Sequence, residues 1–245
     1  MYQPPAFRED RLEVLHALIR SHPLATLITA GPGGLQANLI PFTLIDDGGK
    51  GTLRAHMAKA NPQAEALQAG AETLVVFHGP QSYITPSWYP SKQEHGRVVP
   101  TWNYVVVQVR GTPSVIDDPA WLRAQVEALT HSQESVRPNP WKVDDAPAPF
   151  IAGQLQAIAG IEIPILAIDG KWKMSQNRSP ADRLGVRDGL QDEGRTEEIA
   201  RLVDPDYLFS TVSRPASLSP CSVTPPIFNS TISLAARAAA SSTLR

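Results

Sequence analysis

The chain is poor in sulfur. Its one cysteine, Cys221, excludes an intramolecular disulfide and any multi-cysteine metal site. No stretch approaches the ~18 consecutive apolar residues of a membrane-spanning helix. The first ten residues, MYQPPAFRED, lack the basic-then-apolar order of a secretory signal. Excess positive charge is also missing. Lys and Arg number 22 against 24 Asp and Glu, a formal net charge of −2 that argues against a strongly basic nucleic-acid binder. These absences point to a cytoplasmic protein that does not enter a membrane.

Two further absences divide the chain. Glycine does not occur after Gly194, nor an acidic residue after Asp206. From residue 210 the sequence is rich in Ser, Ala, Thr and Pro, without sustained period-2 or period-3.6 apolar spacing. Such a segment cannot bury enough apolar area to offset its ordering entropy, so residues 210–245 are expected to form a disordered tail. A terminal appendage or a translated frameshift would have the same composition. Residues 1–209 remain as one domain, long enough for a sizeable core.

Motif searches also exclude. There is no G-x-G-x-x-G or G-x-x-x-x-G-K-[ST] phosphate loop and no G-x-S-x-G nucleophile elbow. His16, His22, His56, His78, His95 and His131 never take H-E-x-x-H spacing, so a metal site has no support. No helix-turn-helix appears, because the first predicted helix runs directly into a strand.

What is present reads as strands in series. Asp10 with Glu13 suggests a capping box opening a helix along the apolar stripe Leu12, Leu15, Leu18 and Ile19, which Pro23 ends. Strands are predicted over 24–30, 35–45, 52–58, 73–78, 102–110 and 161–168, with a long loop over 81–97. Asn61-Pro62, Asp118-Pro119 and Ser179-Pro180 each pair a capping residue with a proline suited to the first helical turn. Another helix is expected over 147–157, and residues 196–203 extend the last. Strands joined mostly by tight turns, with helices between some and at the ends, favour an antiparallel barrel over an alternating parallel sheet.

Three segments could carry chemistry. Residues 54–62 leave a strand, pass His56 and Lys59, and enter a helix at Asn61; free N–H groups and a lysine there suit a phosphate, though a surface lysine beside an ordinary cap would look alike. Residues 170–178 gather Lys171, Trp172, Lys173, Ser175, Gln176, Asn177 and Arg178, a mixture able to grip an anionic aromatic ligand or to form a basic turn. Tyr83, Trp88, Tyr89, Trp102 and Tyr104 concentrate aromatic surface suited to a pocket, a subunit interface, or packing over a barrel mouth.

The strings HPLATLITAGPGGLQANLIPF, HMAKANPQ, VVFHGPQSYITPSWYPSKQEHGRVVPTWNYVVVQVRG and GIEIPILAIDGKWKMSQNR, then ADRLGV and Gly189-Leu190, resemble the FMN-binding negative transcriptional regulators of the PaiB type. The likeness runs in order from about residue 1 to 190. It departs from the family pattern at Ala55, where a glycine is expected, and at Leu39, where a histidine is expected.

The resemblance implies an antiparallel split β-barrel of the FMN-binding type, mainly β with flanking helices, in the pyridoxamine 5′-phosphate oxidase-like superfamily. It implies a homodimer with FMN at the subunit interface. His56, Lys59 and Asn61 would hold the ribityl phosphate; Trp172, Lys173, Ser175, Gln176 and Arg178 would approach the flavin from the other side; Tyr83, Trp88, Trp102 and Tyr104 would shape the pocket or interface. Regulation through DNA is implied by family alone, and no catalytic acid or base is marked. An FMN-dependent oxidoreductase is the alternative, and haem or another flavin-like cofactor in the same barrel a third.

Overall fold

The computed structural model describes residues 1–205 apart from Pro32 and Thr196; the predicted tail lies outside the described residues. The strands are β1 (Arg8–Glu9), β2 (Leu24–Gly31), β3 (Gly34–Pro41), β4 (Thr43–Ile45), β5 (Thr52–Ala58), β6 (Thr73–Ile84), β7 (Thr101–Gly111), β8 (Ser114–Ile116), β9 (Ile158–Pro164) and β10 (Ala167–Lys173). The helices are α1 (Leu12–Ser21), α2 (Gln63–Gln68), α3 (Ser91–His95), α4 (Pro119–Glu134), α5 (Ala148–Gln156), α6 (Pro180–Asp192) and α7 (Glu197–Val203). Every strand pairing is antiparallel. One sheet runs β1-β10-β7-β6-β2-β3 and the other β4-β5-β9-β8.

Both sheets turn one face to a shared core, the arrangement of a split barrel. Ala25, Leu27, Val75, Phe77, Val105, Val107 and Val109 come from the larger sheet, and Leu53, Ala55, Met57, Ile161 and Ile163 from the smaller. Their spacing of two follows from strand geometry, which sends alternate side chains to opposite faces. Leu15, Leu18 and Ile19 of α1 join the same core. The helix forms as its apolar stripe predicts, but Asp10 does not cap it: its carboxylate accepts from Arg8 Nε at 2.8 Å, and Arg11 occupies the cap without a side-chain bond.

The chain changes sheets at two places that sequence patterning reads as continuous strand. Residues 35–45 divide into β3 and β4 at Phe42, which is buried, edge-on to Phe77 at 5.9 Å between ring centroids. Residues 161–168 divide likewise into β9 and β10, so the basic residues 170–173 lie in a strand. A third difference concerns Gly79-Pro80, expected to end a strand. There β6 continues to Ile84 through a bulge between His78 and Gln81, and the first part of the expected 81–97 loop is strand. Proline cannot donate to the ladder and is tolerated at such bulges. A Cβ on Gly79 would lie 2.8 Å from Leu18 Cδ1 and 3.0 Å from Val105 Cβ.

Helix α4 covers the outer face of the smaller sheet. Asp118 caps it as expected, accepting from the N–H groups of Ala120 and Trp121. The Trp121 ring fills the space over Gly160, and the Arg54 guanidinium lies 5.4 Å from that ring while pairing with Glu162 at 2.7 Å. By contrast, the outer face of the larger sheet leaves Leu24, Leu35, Leu39, Tyr83 and Trp102 exposed. Among the described residues no helix is long and apolar enough to cross a membrane.

Helix α6, capped by Ser179, holds the aromatic segment after β6. Gly185 and Gly189 share one face, and a Cβ on Gly189 would come within 2.4 Å of the Trp88 ring. Gly189→Ala should therefore lower unfolding free energy by about 1–3 kcal/mol in urea denaturation. Gly153→Ala in α5, where an added Cβ meets nothing within 4 Å, should instead be neutral or stabilising by up to about 1 kcal/mol.

Candidate functional site

The candidate residues fall in two groups. The first lies at the end of β5. Leu53, Ala55 and Met57 point into the core, so His56 points to the outer face, opposite Gly160. Its Nδ1 is enclosed without a hydrogen-bond partner, and burial pushes the imidazole pKa below its ordinary value. Lys59 pairs with Asp117 at 2.6 Å. Asn61 accepts from the Gln63 N–H at 3.0 Å, the capping role expected of it.

Gln63, which sequence reading passes over, fixes this group to the larger sheet. Fully buried, it donates through Nε2 to Leu27 O and Thr29 Oγ1, while its Oε1 accepts from Asn38 Nδ2. Its one signal in the sequence is the Asn-Pro helix start before it.

The second group gathers where β7 begins and β10 ends. Tyr83 and Trp102 face each other across β6 and β7, their ring centroids 6.1 Å apart. Lys173 lies opposite Tyr104 in register and donates through Nζ to Thr101 Oγ1 and Trp102 O. Trp172 points the other way, partly buried against the core. Trp88 packs on α6.

The turn after β10 is tightly determined. Ser175 adopts φ +61°, unusual for a residue with a Cβ, and is buried with its Oγ accepting from Asn103 Nδ2 at 3.0 Å. Gln176 closes the turn by accepting from Met174 N–H and donating to Trp172 O. The Arg178 guanidinium is thereby set 4.8 Å over the ring of Tyr89. Burial raises the Tyr89 hydroxyl pKa against the opposing charge of Arg178. Lys173 is pushed down, chiefly by burial and then by the charges of Lys171 and Arg178. Among the described residues, Lys171, Lys173 and Arg178 have no carboxylate within ion-pair distance.

Such an arrangement can hold an anionic, partly aromatic molecule: unpaired cations for its charge, exposed rings for its plane, and an unsatisfied buried imidazole nitrogen for a polar atom. Within one chain, no hydrogen bond, ion pair or ring contact among the described residues joins the two groups.

Residues 1–167 match the family described as "Putative FMN-binding domain". The chain belongs to this FMN-binding family. FMN is its cofactor, and the cations that meet no carboxylate among the described residues, with the aromatic surface, suit a molecule that joins a phosphate to a flat ring. An uncharacterized protein of Emericella nidulans is 37% identical over 230 residues, covering 79% of this chain and 92% of the relative. Protease synthase and sporulation protein PAI 2 of Bacillus subtilis is 29% identical over 193 residues, covering 79% and 90%. The FAD and heme binding protein of Mycobacterium smegmatis shares the fold with a TM-score of 0.51 at 21% identity, over 68% of this chain and 73% of that one. The flavocytochrome Anf3 of Azotobacter vinelandii does so with a TM-score of 0.50 at 15% identity, over 68% and 69%.

The half-buried His56 has a consequence for acid stability. Its folded pKa lies below the ordinary 6.5, so on acidification the unfolded chain binds a proton before the folded one does. Stability is therefore lost as pH falls through about 6.5 towards the folded pKa. Without its cofactor, the His56→Phe variant should lose less stability than the parent between about pH 7.5 and 5.5. Identical pH dependence in urea denaturation would show that His56 is solvated.

Proposed function

We propose that the protein is a homodimeric, FMN-dependent negative regulator of transcription, with the flavin as its sensor ligand. The observation that carries this reading is the division of the candidate flavin contacts between two separate groups on one chain. A cofactor held by one group from each of two copies would couple its own state to their assembly, and a ligand can bias an equilibrium for which it has differential affinity. The likeness to Protease synthase and sporulation protein PAI 2 supports a regulatory role.

In this reading His56, Lys59 and Asn61 of one copy meet the ribityl phosphate, and Lys173 and Arg178 of the other approach the ring, while Trp172 supports β10 from the core side. Ser175 and Gln176 act by shaping the turn that carries Arg178, since Ser175 is held by Asn103 of β7 and Gln176 is bonded within the turn. Tyr83, Trp102 and Tyr104 border the ring or the interface. The bound flavin supplies reversible electron uptake, and the protein supplies orientation and charge. Lys59 reaches the phosphate by leaving Asp117, its partner in the free chain.

The second copy is placed on the outer face of the larger sheet. Leu35 and Leu39 are 80% and 64% exposed on the edge strand β3. Soluble monomers seldom leave broad apolar patches open. Leu35→Glu combined with Leu39→Glu should convert a dimer to a monomer in light scattering; a dimer that survives both changes would move the interface elsewhere.

Flavin retention tests the site directly. Lys59→Ala with Arg178→Ala should weaken FMN binding by about tenfold or more, as expected for charge-assisted contacts. Asp117→Asn should tighten it by up to about fivefold, because an exposed ion pair is worth only about 0–1 kcal/mol. Regulation is tested by selecting DNA on the oxidised and reduced dimer. Sequence-dependent, salt-sensitive retention that changes with flavin state supports it. Steady oxidation of a nicotinamide donor without DNA retention would replace it with an oxidoreductase.

A further inference from the structure

Helix α5 differs from the other helices in what it offers to its surroundings. Residues 146–161, which contain it, carry no ionisable side chain, and Gln154 and Gln156 are their only polar ones. None of the residues of α5 is buried. The helix rests on α4 and β9, with Ile151 and Leu155, one turn apart, half-covered. Phe150 is 58% exposed, and a Cβ added to Gly153, three residues on, would meet nothing within 4 Å. Helices α4 and α6 present charge instead: Arg123 pairs with Glu127 on the first, and Arg187 with Asp188 on the second. Depletion of charge around an exposed aromatic ring is the composition of an interface core.

The place of α5 in the fold says what covers it. Ala157, next after the helix, accepts through its carbonyl from the Lys59 N–H at 2.9 Å, and Ile158 lies opposite Ala58. The helix therefore ends beside the residues assigned above to the ribityl phosphate. The residues assigned to the ring also have an apolar surface next to them. Lys173 donates to the Trp102 carbonyl, and the edge-to-face rings of Trp102 and Tyr83 are 53% and 42% exposed.

We propose that α5 of each copy docks on the Tyr83–Trp102 pair of the other, which rests on the division of the flavin contacts between two copies. One FMN molecule joins its phosphate to its ring. Elements that flank the phosphate on one copy are thereby brought against elements that flank the ring on the other. The helix supplies an uncharged face and the pair supplies aromatic surface. In a two-fold dimer this contact occurs twice and closes both flavin sites. Tyr83 and Trp102 share a sheet face with Leu35 and Leu39, so the contact continues the one placed there. Phe150 of one copy then borders the cofactor approached by Lys173 and Arg178 of the other, and neither site is complete in a single chain.

Two measurements on the full chain test this. Phe150→Glu with Gly153→Glu puts two carboxylates on the open side of α5 without entering the core of its own copy. In sedimentation equilibrium the parent should be a dimer, and the variant should dissociate about tenfold more readily or more, because carboxylates are costly to bury. Its circular dichroism should be unchanged and its FMN content lower. The second measurement uses Cys221→Ser chains with two different tags, one carrying Phe150→Cys and the other Trp102→Cys. Mixed, re-equilibrated and treated with a short bismaleimide, they should give a linked pair bearing both tags. Asp46→Cys, in the turn leading into β5 at the end away from Lys59, should not replace Phe150→Cys. This cross-link decides alone if the acidic variant folds poorly. A variant as dimeric as the parent, or links between two Phe150→Cys chains only, would overturn the docking and leave the flavin-site reading standing. So would a variant that stays dimeric but loses FMN, which would assign α5 to the cofactor of its own copy. A parent that binds FMN as a monomer would overturn both.

Discussion

The filled barrel interior is the constraint on which everything else depends. Leu27, Leu53, Phe77, Val107, Ile161 and Ile163 are all fully enclosed, and one continuous core joins the two sheets to α1, α6 and α7. Interiors packed to this degree have no space for a cofactor. Chemistry is displaced to the outer faces and to the turns where strands end. His56 stands between Ala55 and Met57, Tyr104 between Asn103 and Val105, and Lys171 between Gly170 and Trp172. The same strands build the core with one set of side chains and the candidate sites with the alternate set.

Local features were legible in the sequence wherever the deciding contacts are local. The alternation along β5 and β7 reports a half-buried strand directly, and the Asp118 and Ser179 caps are read from their prolines. Asn61 lies two residues from the N–H it accepts from. Failures came where distant residues decide. Gly79-Pro80 signals a stop, yet β6 is held in register by β7 on both sides of the bulge. Phe42 looks like one more apolar residue in a strand, whereas burial beside Phe77 makes it a corner.

The same distinction separates the candidate site residues. Counting cations in residues 170–178 does not tell which are already satisfied. Ser175 depends on Asn103, 72 positions away, and Lys171 on Tyr104 and Tyr2. Lys59, by contrast, looks free in sequence and is paired in the fold. An overall charge of −2 also conceals the strip of Lys171, Lys173 and Arg178, in which burial first and the two neighbouring charges second depress Lys173. Local electrostatics of this kind bear on an anionic ligand more than net charge does.

The glycines of α6 tie the candidate site to the mechanics of the chain. Gly185 and Gly189 weaken a helix by about 1 kcal/mol each relative to alanine, so α6 is maintained largely by what docks on it. Trp88 fills that groove, and Ser91 adds two hydrogen bonds to Asp182. The segment around Trp88 and α6 are thus one cooperative unit, in which neither part unfolds without exposing the other. Arg178 precedes the cap Ser179 by one residue and rests on Tyr89, beside Trp88. Its position is therefore protected against local opening to the extent that this whole unit is, and amide exchange across residues 86–91 and 178–190 should report a single opening event.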